Sequence, residues 1–199
     1  MQERRSQADR RAATRAGLLE AARAEFVERG YAQAATEAVV RRAGVTRGAL
    51  YYHFPDKAAL FAAVVEAVAA EIADAVVAAA GTAASPRAAL VAGSRAYLAA
   101  CLSERARAIY LVDGPAVLGW RRWREIDGAH SARLLREGVA EAVGGDRSRE
   151  VDALTTLVSG ALNEAALWLA DSAGDPARAA ALDAAMVDLF ERLFPDSAG

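Results

Sequence analysis

An all-α fold of about nine helices is what this sequence predicts, and three observations carry the prediction. Apolar residues recur at i, i+3 and i+4 along almost the whole chain. No run alternates with the two-residue period of a strand. Helix starts and stops punctuate the periodic stretches at short intervals: Gly30, Gly44, Asp56, Ser85–Pro86 and Asp175–Pro176.

The elements follow in order. Leu18, Leu19, Ala22 and Phe26 make one buried stripe on a first helix, with Thr14 as its cap and Gly30 closing it. A short helix is expected from Thr36 to Ala43 and ends at Gly44, and a second short piece covers Arg47 to His53. Asp56 caps a long helix that reaches Ala80. Ser85 followed by Pro86 opens a helix to Ser103, and a shorter one covers Glu104 to Val112. "DGPAVLG" is a turn or broken helix, residues 120–143 form one helix, and two more cover Ser148–Asp171 and the stretch from Pro176 to just before Pro195.

Composition bounds the function. With 199 residues and 54% hydrophobic side chains, the chain can fill a core. Its single cysteine, Cys101, forms no internal disulfide and points to a reducing, cytoplasmic setting. The stretch "MQERRSQADRRAATRAG" has basic residues without the apolar core of a signal peptide. The longest apolar run, around residues 62–80, is interrupted by Glu66, Glu71 and Asp74, so no membrane association is expected. Residues 1–57 hold 11 Arg and Lys against 7 Asp and Glu, whereas the rest of the chain is net acidic. A basic head on an acidic body suits a polyanionic partner, although chance scatter gives the same balance.

Enzyme chemistry finds little support. His53, His130 and Cys101 form no cluster with metal-ligand spacing, and neither a phosphate loop nor a nucleophile elbow occurs. Asp113 and Glu125 stand as isolated acids. No metal and no cofactor are expected.

Two short helices joined by "GVT" form a helix-turn-helix pattern, with Gly44 suited to a positive φ. Val39, Ala43, Val45 and Leu50 can make the small core between them. That leaves Thr46, Arg47, Ala49, Tyr51, Tyr52 and His53 on the other face, with a cation and hydroxyls for phosphates and small groups for base edges. The competing reading of "YYHF" is ordinary core between the third and fourth helices.

The stretch from Thr14 to Val68, with "LLEAA", "RGY", "AGVTRGALYYHF" and "DKAALF" in order, resembles the DNA-binding domain of the TetR family of transcriptional repressors. The resemblance implies a helix-turn-helix domain over residues 1–57 and a helical ligand-binding and dimerisation domain over 58–199, joined through the long fourth helix. It implies a phosphate contact at Thr36, major-groove entry by Arg47, Gly48 and Ala49, contacts from Tyr51, Tyr52 and His53 to phosphates or thymine methyls, and a phosphate grip by Lys57. Three positions depart from the family pattern: Ala35 lacks a common hydroxyl, Val40 stands where alanine is frequent, and Glu37 puts an acid near a phosphate. Arg4, Arg5, Arg10 and Arg11 form an arm that either follows the minor groove or frays.

For the body, the resemblance implies an inducer cavity and a two-helix dimer face. Val151, Leu154, Val158, Ala161, Leu162 and Ala165, with Leu182, Met186, Leu189, Phe190 and Leu193, form stripes that suit a four-helix dimer interface or packing within one subunit. Tyr97, Cys101, Tyr110, Trp120, Trp123, His130, Asn163, Glu164 and Trp168 are candidates to line a ligand cavity, their alternative role being plain core. The function expected is a homodimeric repressor on a palindromic double-stranded operator, released by a small-molecule inducer. An activator, a ligand-independent regulator and a helical adaptor without DNA binding are the alternatives.

Overall fold

A computed structural model describes residues 7–144, 147–171 and 174–195. Within them the chain is helical throughout: α1 (Gln7–Gln33), α2 (Thr36–Ala43), α3 (Arg47–His53), α4 (Lys57–Ala80), α5 (Pro86–Cys101), α6 (Glu104–Ala106), a π-helical segment (Arg107–Asp113), α7 (Gly114–Leu118), α8 (Trp120–Ala129), α9 (Ser131–Val143), α10 (Ser148–Ala170) and α11 (Pro176–Leu193). The all-α expectation holds, in more and shorter pieces than the sequence suggested.

The caps at Asp56, Ser85 and Asp175 act as expected, each side chain accepting from a main-chain N–H in the first turn of its helix. Thr14 does not cap α1. The helix begins at Gln7, and the Thr14 hydroxyl donates back to the Arg10 carbonyl at 2.9 Å, the usual mid-helix arrangement for threonine. Gly30 breaks α1 at φ 69°, but one further helical turn carries Tyr31 to Gln33. Arg10 and Arg11 belong to the first turns of α1, whereas Arg4 and Arg5 lie outside the described residues.

Two stretches depart from the sequence reading. The expected helix over Glu104–Val112 is a single α-turn followed by the π segment, whose wider turn admits an extra residue. The expected single helix over 120–143 breaks at His130 (φ −117°, ψ −100°). Neither glycine nor proline marks that break. It places the imidazole Nε2 2.6 Å from Glu66 Oε1 on α4.

One buried cluster runs through the molecule. Leu18, Phe26, Leu50 and Phe54 meet Leu60, Phe61 and Val64 of α4 in the head, and α4 continues through Val68 and Ile72 into the body core against Leu90, Leu98 and Val139. The fourth helix therefore shares its inner face between both halves, and α5 packs along it. Helix α10 is the one described helix long and apolar enough to cross a membrane by length and composition. Its inner face, including Val151, Val158, Leu162 and Ala166, is buried, and it packs on α9 and α5.

Candidate nucleic-acid interface and ligand cavity

The head is built around the turn between α2 and α3. Gly44 takes φ 65° and ψ 30°, and its N–H closes α2 on the Arg41 carbonyl. Thr46 then caps α3, its hydroxyl accepting from the Ala49 N–H at 3.2 Å. Val39 and Leu50 are buried, with Ala43 and Val45 packed against them, and Phe54 closes the core behind α3. The opposite side of α3 is bare. Arg47 and Gly48 are exposed, and a Cβ on Gly48 would meet only the Thr46 hydroxyl, at 3.9 Å. Among the described residues nothing requires glycine there.

The aromatics divide along this line. Tyr52 is 68% exposed and Tyr51 is exposed as well, while Phe54 is buried. Guanidinium groups cover the tyrosine faces, Arg47 over Tyr51 at 5.5 Å and Arg11 over Tyr52 at 5.3 Å. Arg11 and Arg15 also bear on His53: partial burial first, and then these two cations, hold its imidazole below the usual pKa. Arg47 lies 3.5 Å from Glu37, which tempers its charge in the free protein. Thr36 bonds to Glu37 and is half-buried at the start of α2. Lys57, in the first turn of α4, sits 4.6 Å over the Tyr31 ring and donates to the Ala32 carbonyl at 3.3 Å. The cation is thus held at a helix N-terminus, where an anion is favoured.

Sequence reasoning missed Glu25. Ala35 gives α2 no side-chain cap, and the buried Glu25 carboxylate of α1 reaches the Ala35 N–H at 3.5 Å instead. The only signal was an acid on the inner face of an otherwise apolar stripe.

In the body, a cavity of about 310 Å³ lies between α4, α5, α9 and α10, with Asp127 of α8 at one end. Val76, Val77, Leu90, Leu134, Leu135 and Leu162 supply most of its wall. Its size falls at the lower end of ligand pockets, roughly 300–1,000 Å³. Gly138 keeps the wall thin, since a Cβ there would lie 2.9 Å from Leu90 Cδ2.

Of the nine aromatic and polar candidates, Tyr97 alone is among the residues that line this cavity. Its hydroxyl donates to Asn163 Oδ1, so the buried Asn163 stands behind it. Cys101 is fully buried, and burial pushes its thiol up to about 12. Tyr110 and Trp123 form core beneath the cavity. The indole Nε1 donates to the Tyr110 carbonyl at 2.8 Å, and the Tyr110 hydroxyl donates to Asp127 Oδ1 at 2.8 Å. Gly114 admits the indole: a Cβ there would lie 2.9 Å from Trp123 Cδ1. Trp120 stacks on Trp123 from outside and is 63% exposed. His130 faces Glu66, away from the lining residues. Trp168 and Glu164 are exposed on α10, with Arg178 3.8 Å over the indole. The Tyr110 and Trp123 rings lie in the core around the π segment and α8, and the wall is mostly aliphatic residues, glycines and serines, with Asp127, Glu137 and Glu141.

Neither Asp113 nor Glu125 is isolated. Glu125 pairs with Arg122 at 2.9 Å. Asp113 ends the π segment and accepts the Tyr31 N–H at 2.9 Å, tying body to head. The bidentate pair of Arg23 with Glu71 adds a second tie between α1 and α4.

The stripes on α10 and α11 face largely inward: Val151, Val158, Leu162, Met186 and Phe190 are buried within the chain. Ala161, Leu189 and Leu193 of the same stripes are exposed, together with Leu157 and Trp168 along one side of α10 and Ala185 on α11.

Comparison with known proteins adds an independent line. Residues 18–64 match the family described as bacterial regulatory proteins, tetR family, and residues 87–193 match the Tetracyclin repressor-like C-terminal domain. The crystal structure of a TetR-family transcriptional regulator from Pectobacterium atrosepticum superposes with a TM-score of 0.76 at 34% identity, covering 96% of this chain and 99% of that one. A Rhodococcus protein of unknown function follows at 26% identity and a TM-score of 0.68, covering 90% of this chain and 94% of the other. The transcriptional regulator TtgR of Pseudomonas putida is 44% identical over 55 residues, which is 28% of this chain and 26% of TtgR, so the chain spans about a quarter of the curated relatives it matches. With both parts of the chain matched in order, and the fold matched almost end to end, the chain belongs to the TetR family of transcriptional regulators.

Proposed function

We propose that this regulator is a repressor that binds a palindromic operator as a homodimer and leaves it when a small molecule fills the body cavity. The observation that carries the reading is the outward side of α3, bare and flanked by cations, with its apolar side closed against Val39 and Phe54. Arg47, Gly48 and Ala49 enter the major groove. Thr36, Thr46, Tyr51, Tyr52, His53 and Lys57 hold phosphates or the methyls at the groove edge. The repressor BepR of Brucella suis shares the head at 44% identity over 54 residues, which favours repression over activation.

The exposed apolar side of α10 and α11 is the dimer face. Two recognition helices about 34–36 Å apart then read the half-sites of a palindrome. Residues 1–57 form the reading head and residues 58–199 the sensing body, and α4 belongs to both. A ligand acts by binding better to the body of the DNA-free spacing than to that of the bound one, since equal affinity would shift nothing. The ties from Asp113 to Tyr31 and from His130 to Glu66 give the body purchase on the head and on α4.

Selection of bound duplexes from a random pool, followed by a salt titration on the enriched sequence, tests the reading. A palindrome with steeply salt-dependent affinity is expected. A helical adaptor would bind no duplex even at low salt.

A further inference from the structure

The cavity has a charge signature that the fold does not require. Three carboxyl side chains line it, Asp127, Glu137 and Glu141, and no Arg, Lys or His does among the described residues. Glu137 and Glu141 are exposed, and Glu137 pairs with Arg133 at 2.6 Å; Asp127 is 1% exposed, and the Arg124 that pairs with it also donates to the lining Ser159 at 3.0 Å. Asp127 accepts one bond at each oxygen, from the Tyr110 hydroxyl and from Arg124, which is not among the lining residues. Each carboxylate oxygen can accept more than one donor, so acceptor capacity remains. Beside it, Ser131 is 7% exposed, and its hydroxyl oxygen is buried with no hydrogen-bond partner. The cavity thus carries an unpartnered buried hydroxyl and a buried carboxylate among mostly aliphatic lining, and a polar ligand head would satisfy both.

Resting on the cavity reading above, we propose that the effector site takes lipophilic monocations, amines whose ammonium group lies against Asp127 and Ser131 while the hydrocarbon part packs on Val76, Leu90, Leu134 and Leu162. An ammonium offers three donors and a charge, which Asp127 and Glu141 favour. A carboxylate of the same skeleton meets the buried Asp127 and Glu141, which is unpaired among the described residues, while Arg124 and Arg133 are already engaged by Asp127 and Glu137, and is disfavoured. Burial raises the Asp127 carboxyl above its ordinary range against the pull of Tyr110 and Arg124, and a bound ammonium relieves that strain.

Isothermal calorimetry on the full chain at pH 7.5, with 4-phenylbutylamine, 4-phenylbutanol and 4-phenylbutyrate, isolates the head group at constant skeleton. The amine is expected to bind about 10-fold tighter than the alcohol, with the carboxylate the weakest of the three. Asp127→Asn should level amine and alcohol. Because that change also touches Tyr110 and Arg124, Ser131→Ala and Glu141→Gln serve as milder variants, and each should narrow the amine's advantage. Equal affinity for amine and alcohol, preference for the carboxylate, binding of none of the three, or an amine preference untouched by both milder variants would overturn the proposal. Operator affinity, followed in parallel by fluorescence anisotropy, keeps the two readings apart. An amine that binds without releasing DNA defeats induction and leaves the ligand class standing.

Discussion

The head and the body use aromatic side chains in opposite ways. In the head, Tyr51 and Tyr52 stand in solvent with guanidinium groups over their faces, and the only ring α3 tucks away is Phe54 at its end. In the body, Tyr110 and Trp123 are sealed into the core and bonded to each other's surroundings, while the cavity wall is mostly aliphatic, with Tyr97 as its one ring. A surface ring without a structural task is an open binding group, and a buried ring beside a cavity is its foundation. Under the function proposed above, the same residue type marks the site in one half and supports it in the other.

Substitutions can break this contrast. The largest effect is expected from Trp123→Ala, which empties a core position and removes the bond to the Tyr110 carbonyl. A loss of about 3–5 kcal/mol in urea unfolding follows, whereas Tyr52→Ala should leave stability within about 0.5 kcal/mol and weaken operator binding. Arg47→Ala comes next, with about 1–3 kcal/mol of discrimination lost at the base pair it faces; competition with operators altered one position at a time reads it, and unchanged preference would remove Arg47 from the groove. Lys57→Ala should weaken every duplex alike and lower the salt slope by about one ion. The smallest effect concerns His53. Burial, Arg11 and Arg15 hold its pKa down in the free protein, and a nearby phosphate would raise it. Binding then takes up a proton, so affinity should rise as pH falls from 7.5 toward 6, by about threefold per half unit of pKa gained. His53→Gln should flatten that profile.

Much of the head was legible because its chemistry is local. Gly44 and Asp56 announce a turn and a helix start by their residue types alone, and the bare side of α3 follows once Val39 and Leu50 are assigned inward; the cap that Thr46 places on α3 was missed. The cavity was not legible for the opposite reason. Gly93, Ser94, Ser131 and Gly138 carry no signature by themselves, and only the crossing of α5 with α9 gives them a shared space. Asp127 left one faint trace, an acid three residues after Arg124 on a helix face. The break at His130 was not read from the sequence either, and the partner its imidazole meets there lies 64 positions away on α4. The stripes on α10 and α11 were correct as helices and ambiguous as faces, because periodicity states that one side is buried and never against what.

The bond from Asp113 ends at the main-chain N–H of residue 31, which every amino acid but proline carries. That contact is therefore blind to drift at that position: the side chain there is free to change to suit Phe26, Phe61 and Lys57 while the bond stays in place. Its vulnerability lies wholly at the far terminal, where a single carboxylate either is present or is not.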